Sequence, residues 1–253
     1  MESRAADDGM MPRTAVERFR DGRGEVGIVF DAAHLRQADW ALFDPAAYPA
    51  AEPVDGAGGR GGAWYVEGEA GPAVLKRYRR GGWMAALSED AYLWLGEESA
   101  RSWKEFALLR DMHGDGLPVP VPLAAAWRRS GWRYRACLLT QRIPAVESLV
   151  AAVRRRGIDA PWAAIGATLA RFHHRGLHHA DLNAHNVLLG RDDSVHVIDC
   201  DKGRIEQAPG DWCARVLERL ERSLRKRLGD IDASVIAAGM ARLREAHARE
   251  LHA

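Results

Sequence analysis

The sequence predicts an α+β fold in which a small β-rich N-terminal lobe precedes a larger helical C-terminal lobe. Short apolar segments between glycine and proline turns dominate residues 25–140 and are typical of strands. Beyond residue 144, apolar residues recur at helical spacing, with charged residues on the opposite faces. A chain of 253 residues is long enough for two small lobes within one domain. We expect these lobes to span about residues 25–140 and 144–253.

Composition argues against several classes of protein. A net charge of +1 gives no global field for nucleic acid, so we expect no nucleic-acid partner. The three cysteines form no C-x-x-C motif, which disfavours a disulfide framework and fits a reducing compartment. No apolar core of a signal peptide and no stretch near 18 apolar residues is present. We expect a cytoplasmic protein with no transmembrane segment and no obligate protein partner.

The N-terminal half is predicted to contain mainly strands. We expect residues 1–24 to be loose, and residues 35–43 to form a short helix. A further helix is predicted near residues 101–112, because apolar residues recur there on one face. Strands are predicted at residues 25–30, 63–66, 73–76, 123–127 and 134–140.

The C-terminal half is predicted to contain four helices. Pro161 suits the first turn of one of them and Gly176 ends it. The third is strongly amphipathic, and its arginines either face water or lie on an anionic membrane surface. The helices are predicted at residues 147–156, 161–174, 211–228 and 231–252.

Residues 177–201 carry acidic and amide side chains around a short apolar hairpin. Asp181 is followed five positions later by Asn186, and Asp199 stands 13 positions further on, after an apolar run. Phosphoryl transfer from ATP requires one carboxylate that takes the acceptor proton, with an amide and a second carboxylate that hold magnesium. The spacing therefore predicts Asp181 as the catalytic base, and Asn186 and Asp199 as Mg²⁺ ligands.

Two other interpretations account for less of this segment. Six histidines between residues 173 and 196 could suggest zinc, but they form no H-E-x-x-H motif and no cysteine joins them. A purely structural hairpin explains residues 187–198, but not the polar residues on either side. We therefore assign the histidines to packing and loop support, and expect His179 to support the loop backbone.

Glycine is concentrated in residues 56–62, just before a predicted strand. Gly58, Gly59 and Gly61 leave backbone N–H groups uncovered, which suits a loop that lies over phosphates. A flexible hairpin explains the same composition equally well. No Gly-Lys-Ser/Thr follows, so the segment is not a Walker A motif.

The central motif resembles the lipopolysaccharide core kinases, most closely the 3-deoxy-D-manno-octulosonic acid (Kdo) kinases. The resemblance rests on His179-Ala-Asp181-Leu-Asn-Ala-His-Asn186 and on Ile198-Asp199-Cys-Asp-Lys-Gly203-Arg204. It extends to Tyr78-Arg-Arg-Gly-Gly82 and Gly116-Leu-Pro-Val-Pro120, and covers roughly residues 60–228. It implies a two-lobed protein-kinase-like fold.

The resemblance also implies a reaction and its location. ATP, with Mg²⁺, would phosphorylate the 4-hydroxyl of Kdo on a lipid A precursor, at the cytoplasmic side of the bacterial inner membrane. The protein would bind that membrane peripherally to reach its Kdo-lipid A glycolipid acceptor. Lys76 would bind ATP phosphates and Glu105 would hold it. An isolated strand lysine is usually a solvated edge residue, but the position of Lys76 on an apolar strand after the glycine-rich segment itself favours phosphate binding. On a generic helix, Glu105 would be only surface charge.

An anionic acceptor needs cations near Asp181. The candidates are Arg79, Arg80, Lys202 and Arg204.

The motif also departs from protein kinases, because Ala180 replaces the arginine that meets an activation-loop phosphate. This replacement predicts a constitutive enzyme. Cys200 and Asp201 replace the phenylalanine and glycine of Asp-Phe-Gly, and Asp201 could also reach magnesium. Alternatives are another sugar or small-molecule kinase, such as an aminoglycoside-type phosphotransferase, and a non-catalytic pseudokinase.

Overall fold

The computed structural model describes residues 14–54, 62–78, 92–144 and 146–253. The chain divides into two compact units. The first, called the sheet unit, comprises Met1–Trp103 and Pro122–Gln141, and the second, called the helical unit, comprises Lys104–Val121 and Arg142–Ala253. Strands form most of the first unit and helices most of the second, so the predicted α+β class is confirmed.

The sheet unit is built on one antiparallel sheet. Its strand order is β1-β2-β7-β8-β5-β4-β3, with the short β6 also paired to β8. The strands are β1 Thr14–Asp21, β2 Gly24–Asp31, β3 Glu52–Pro53, β4 Ala63–Gly68, β5 Gly71–Arg77, β6 Tyr92–Leu93, β7 Pro122–Ser130 and β8 Arg133–Gln141. Apolar side chains of β2, including Val26, Ile28 and Phe30, alternate into its core beside Leu75 and Leu139.

Two expectations for this unit are wrong. Residues 14–21 are not loose but form β1, which pairs with β2 along its whole length. Nearly every residue of β1 is exposed, so backbone pairing rather than burial holds the strand. Residues 35–43 do not form one helix, since only Trp40–Phe43 is helical, as a 3-10 turn. The side chain of Asp39 caps that turn by accepting a hydrogen bond from Ala41.

In the described residues, the helical unit contains the long helices and two small sheets. The helices are α1 Arg101–Gly114, which begins in the sheet unit, α2 Leu149–Arg156, α3 Trp162–His174, α4 Asp211–Arg227 and α5 Ala233–Leu251. The strands are β9 Glu147–Ser148, β10 Leu177–His179, β11 Val187–Leu189, β12 Val195–Val197 and β13 Gly203–Ile205. β12, β11 and β9 form one small sheet, and β10 pairs with β13. The four C-terminal helices predicted from periodicity are confirmed to within a few residues at each end.

Helices α3 and α5 pack closely. A Cβ on Gly166 would lie 2.1 Å from the carbonyl oxygen of Leu243, so only glycine allows this approach. The Nδ1 atom of His173 and the Nε2 atom of His247 lie 2.8 Å apart inside the same interface. Burial lowers the pKa of His173 to about 3 and also lowers the pKa of His247. Both imidazoles are therefore neutral at pH 7 and serve as packing residues, as expected for His173.

Helix α4 is strongly amphipathic, with one apolar face and one charged face. Val216, Leu217, Leu220 and Leu224 are buried, whereas the arginines of the other side are exposed. None of the helices in the described part of the chain combines the length and the hydropathy needed to cross a bilayer.

Candidate active site

Asp181 lies in the loop that joins β10 to β11. Its carbonyl oxygen accepts hydrogen bonds from the side-chain Nδ2 atoms of Asn183, at 3.1 Å, and Asn186, at 3.2 Å. Asn183 also accepts the backbone N–H of His185 at 2.9 Å. The two amides fold the loop tightly around Asp181. Because Nδ2 of Asn186 is engaged in this way, its Oδ1 atom is the one that a cation can take.

His179 connects this loop to the end of β12. The backbone N–H of Asp181 donates to its Nδ1 at 3.3 Å, so Nε2 carries the proton and donates to the carbonyl oxygen of Ile198 at 3.1 Å. His179 is only 3% exposed, and this burial lowers its pKa despite the nearby carboxylates of Asp199 and Glu105. The imidazole is therefore a neutral bridge, and the expected support of the loop backbone by His179 is confirmed.

Asp199 follows β12 in a backbone conformation that costs energy. Its φ is +62°, in the left-handed region that residues other than glycine rarely adopt, at a cost on the order of 1–3 kcal/mol. The N–H of Ile198 donates to the carbonyl oxygen of Asn186 at 3.0 Å, which ties the segments of the two predicted Mg²⁺ ligands together. Cys200 is buried behind Asp199, whose own side chain is exposed. Such strain concentrates at functional sites, and here it falls on a predicted ligand.

Two cations contact the carboxylate of Asp181. Arg219 of α4 forms an ion pair with Oδ1, and Nζ of Lys202 lies 3.5 Å from Oδ2. The sequence predicts Lys202 as a cation of this site. It gives no signal for Arg219, which is 38 residues from Asp181 and reads only as charge on an amphipathic helix. The contact depends on the packing of α4 beside the loop.

A pocket of about 230 Å³ opens beside the loop that contains Asp181. Residues 178–180 form one side and α4 forms the other. His178 stacks on Trp212, with ring centroids 5.2 Å apart, and contacts Glu206 at 3.3 Å, so its ring is held in place. The lining residues are His178, His179, Ala180, Arg215, Val216, Arg219 and Arg222.

The predicted phosphate-binding pair falls in the two different units. Lys76 is half-buried on β5, and its Nζ atom lies 4.6 Å from the ring centroid of Tyr78. Glu105 lies on α1, is 2% exposed and acts electrostatically on His179. Glu105 is therefore no surface charge. The pairing of Lys76 with Glu105 stays a prediction.

The remaining predicted site residues are Arg204, Arg79 and Arg80, which are candidate acceptor cations, and three glycines. Arg204 forms an ion pair with Glu206 at 2.7 Å. Gly58, Gly59 and Gly61 lie outside the described residues, as do Arg79 and Arg80.

The oxygen atoms of Asn186 and Asp199 are of the kind that Mg²⁺ prefers. Over the described ranges, no three His, Cys, Asp or Glu side chains are grouped so that they could hold a metal. Two protein ligands still fit Mg²⁺. Proteins usually bind this ion through one or two groups, and water and substrate phosphates complete its coordination. The donor set is thus compatible with Mg²⁺, and the assignment of both ligands stays a prediction.

Comparison with known families decides the classification. A model of the lipopolysaccharide kinase (Kdo/WaaP) family matches residues 48–246. The chain belongs to this family. It is therefore a kinase, and the resemblance read from the motif at residues 179–204 is confirmed.

Alignments with similar proteins extend over most of the chain. A 3-deoxy-D-manno-octulosonic acid kinase of Xanthomonas axonopodis pv. citri (strain 306) is 46% identical over 92% of this chain and 94% of its own length. The protein of the same name from Xylella fastidiosa (strain 9a5c) is 43% identical over 90% of this chain and 92% of its own. The protein of the same name from Xanthomonas campestris pv. campestris (strain B100) is 47% identical over 85% of this chain and 87% of its own length.

Proposed function

We propose that this protein transfers the γ-phosphoryl group of ATP to the 4-hydroxyl of a Kdo residue on a lipid A precursor. The observation that carries the proposal is the loop in which His179 and two amides hold Asp181 beside a cation-lined pocket. Relatives at 43% and 46% identity that are named for Kdo phosphorylation support the choice of acceptor.

In the proposed reaction, Asp181 is the base. One of its carboxylate oxygens accepts the proton of the sugar hydroxyl while the hydroxyl oxygen bonds to the γ-phosphorus and ADP leaves with the bridging oxygen. The hydrogen bonds to the backbone N–H and carbonyl oxygen of Asp181 fix the backbone from which its side chain projects. Positioning of this kind is the main catalytic contribution in phosphoryl transfer.

Several groups of this chain would bind the nucleotide and its metal. Oδ1 of Asn186 and the carboxylate of Asp199 would hold Mg²⁺, which when bound neutralises charge on the phosphates. Lys76 would bind phosphate oxygens, with Glu105 as its ion-pair partner. The N–H groups of Gly58, Gly59 and Gly61 would cover the phosphates, and Asp201 is a further candidate for a Mg²⁺ ligand.

We place the reaction at the cytoplasmic face of the inner membrane, with the protein bound peripherally. The support is chemical, because a lipid-anchored acceptor is held at a bilayer surface. Cosedimentation at low salt with anionic vesicles that contain the acceptor measures this peripheral binding. The protein should pellet with them, and a protein that stays in the supernatant would contradict peripheral binding.

An acceptor panel with labelled ATP tests the function. Kdo-lipid A precursor should be labelled in a Mg²⁺-dependent reaction, and NMR of the product should place the phosphate on the 4-oxygen of Kdo. Lipid A precursor without Kdo is the matched negative acceptor. Transfer to aminoglycosides or other sugars, but not to Kdo, would replace this proposal with the broader small-molecule kinase.

A pseudokinase is the remaining alternative. It predicts that no acceptor is labelled. Binding of Mg-ATP, followed by the thermal unfolding midpoint, separates the two cases. A midpoint that Mg-ATP leaves unchanged would favour the pseudokinase.

A further inference from the structure

Three arginines of α4 line the same pocket. Arg215, Arg219 and Arg222 are spaced by four and then three positions, which places them on one face of the helix. All three are exposed, and they face residues 178–180 across the pocket. The helix therefore presents a row of guanidinium groups directly beside the catalytic loop.

These guanidinium groups are only partly neutralised. Arg219 is paired with Asp181, and Nη1 of Arg222 lies 3.8 Å from Glu218, too far for a hydrogen bond. Arg215 has no ion pair with any carboxylate that the structure describes. Like charges three or four residues apart repel one another on a helix, and a bound anion would relieve that repulsion. The pocket thus carries an excess of positive charge.

The size and the lining of the pocket suit an oxyanion group. Its volume of about 230 Å³ exceeds that of a single water molecule several-fold, since one water occupies about 30 Å³ in the liquid. The small side chain of Ala180 leaves this space open beside Asp181. Guanidinium groups match carboxylate and phosphate oxygens with paired hydrogen bonds.

We propose that this pocket binds an oxyanion of the acceptor, either the carboxylate of the sugar acid or a phosphate of its lipid. Arg215 and Arg222 hold the anion. Arg219 exchanges its contact with Asp181 for the anion, so that acceptor binding frees the Asp181 carboxylate for the hydroxyl proton. This inference rests on the proposed function, because it names the part of the same acceptor that α4 recognises.

Arg215→Gln and Arg222→Gln test the subsite, with Arg225→Gln as the matched control. Arg225 lies on the same helix but pairs with Glu221 at 2.7 Å and does not line the pocket. Binding of the acceptor is measured without ATP, and KM and kcat are measured with ATP. Each pocket variant should weaken acceptor binding and raise the acceptor KM about 10- to 100-fold, the usual effect of losing a charge-assisted hydrogen bond. Turnover at saturation and the KM for ATP should stay unchanged.

Two modified acceptors distinguish the sources of the anion. One carries the Kdo carboxylate as a methyl ester, and the other lacks the lipid phosphates. The wild type should bind one of them weakly, and for that acceptor Arg215→Gln should have no further effect. The group removed from that acceptor is the one that the pocket binds.

The outcomes separate this inference from the proposed function. If the wild type phosphorylates Kdo-lipid A and both pocket variants bind the acceptor as tightly as Arg225→Gln does, the subsite is refuted and the function stands. If the wild type binds no Kdo acceptor, both are refuted. Weaker binding by the pocket variants, at an unchanged thermal unfolding midpoint, supports the subsite.

Discussion

The bridge formed by His179 makes a prediction for both stability and catalysis. His179→Ala removes the acceptor for the N–H of Asp181 and the donor to the carbonyl oxygen of Ile198. Both backbone groups are part-buried and lose this partner, and each such loss costs at most about 1–3 kcal/mol because water can replace part of it. The free energy of unfolding should therefore fall by about 1–4 kcal/mol, against the roughly 5–15 kcal/mol typical of a domain.

Catalysis should suffer as well, because His179 holds Asp181, the proposed base, in position. A displacement of about 1 Å can cost on the order of 100-fold in rate, so kcat should fall by about that factor while the KM for ATP changes little. His179→Asn should be less severe, since its side-chain oxygen can still accept from Asp181. Urea denaturation and steady-state kinetics measure the two effects.

His174→Ala is the matched control for this prediction. His174 is another histidine of the group between residues 173 and 196, but it is exposed at the end of α3. Its substitution should change neither stability nor kcat. If His179→Ala unfolds within about 1 kcal/mol of the wild type and keeps its kcat, the imidazole is not the bridge described.

Three further predictions follow from burial, packing and the donor set. The pKa of His173 is about 3 in the folded protein against 6.5 ordinarily, so the unfolded chain binds more protons below pH 6.5. Stability should be full above that pH and fall toward pH 3, by about 2 kcal/mol at pH 5, and His173→Asn should flatten this slope in thermal unfolding. A Cβ on Gly176 would lie 2.1 Å from the carbonyl oxygen of Glu206 at a φ of +76°, so Gly176→Ala should lower the urea midpoint, whereas Gly114→Ala, with open space around it, should not. Asn186→Ala should raise the Mg²⁺ concentration for half-maximal rate by at least the roughly tenfold that loss of an outer-shell contact costs, and an unchanged Mg²⁺ requirement would remove Asn186 from the ligand set.

Regular elements with a buried face could be predicted from the sequence. The hairpin of β11 and β12 and the helices α3 and α4 show apolar residues at the spacing that burial requires, and the structure has them at nearly the predicted bounds. The loop between β10 and β11 was predictable for another reason. Its polar residues interact with residues close to them in the sequence. Asn183 and Asn186, for example, donate hydrogen bonds to the carbonyl oxygen of Asp181.

Features that depend on distant parts of the chain could not be predicted. β1 is charged and exposed, so its sequence has no apolar alternation, and only pairing with β2 makes it a strand. Leu35 and Phe43 are buried at the two ends of residues 35–43, but an irregular path rather than a helix brings them there. The contact of Arg219 with Asp181 needs α4 to pack beside the loop, and no local pattern records that packing.

Asp181→Asn is the most direct test of the proposed role of Asp181 as the catalytic base. The amide cannot take a proton, so turnover with Kdo-lipid A acceptor should fall by about 10²- to 10⁴-fold. The dissociation constant of Mg-ATP should stay close to that of the wild type, and Asp111→Asn, at an exposed carboxylate of α1, should retain full activity. Unchanged turnover of Asp181→Asn would contradict the account.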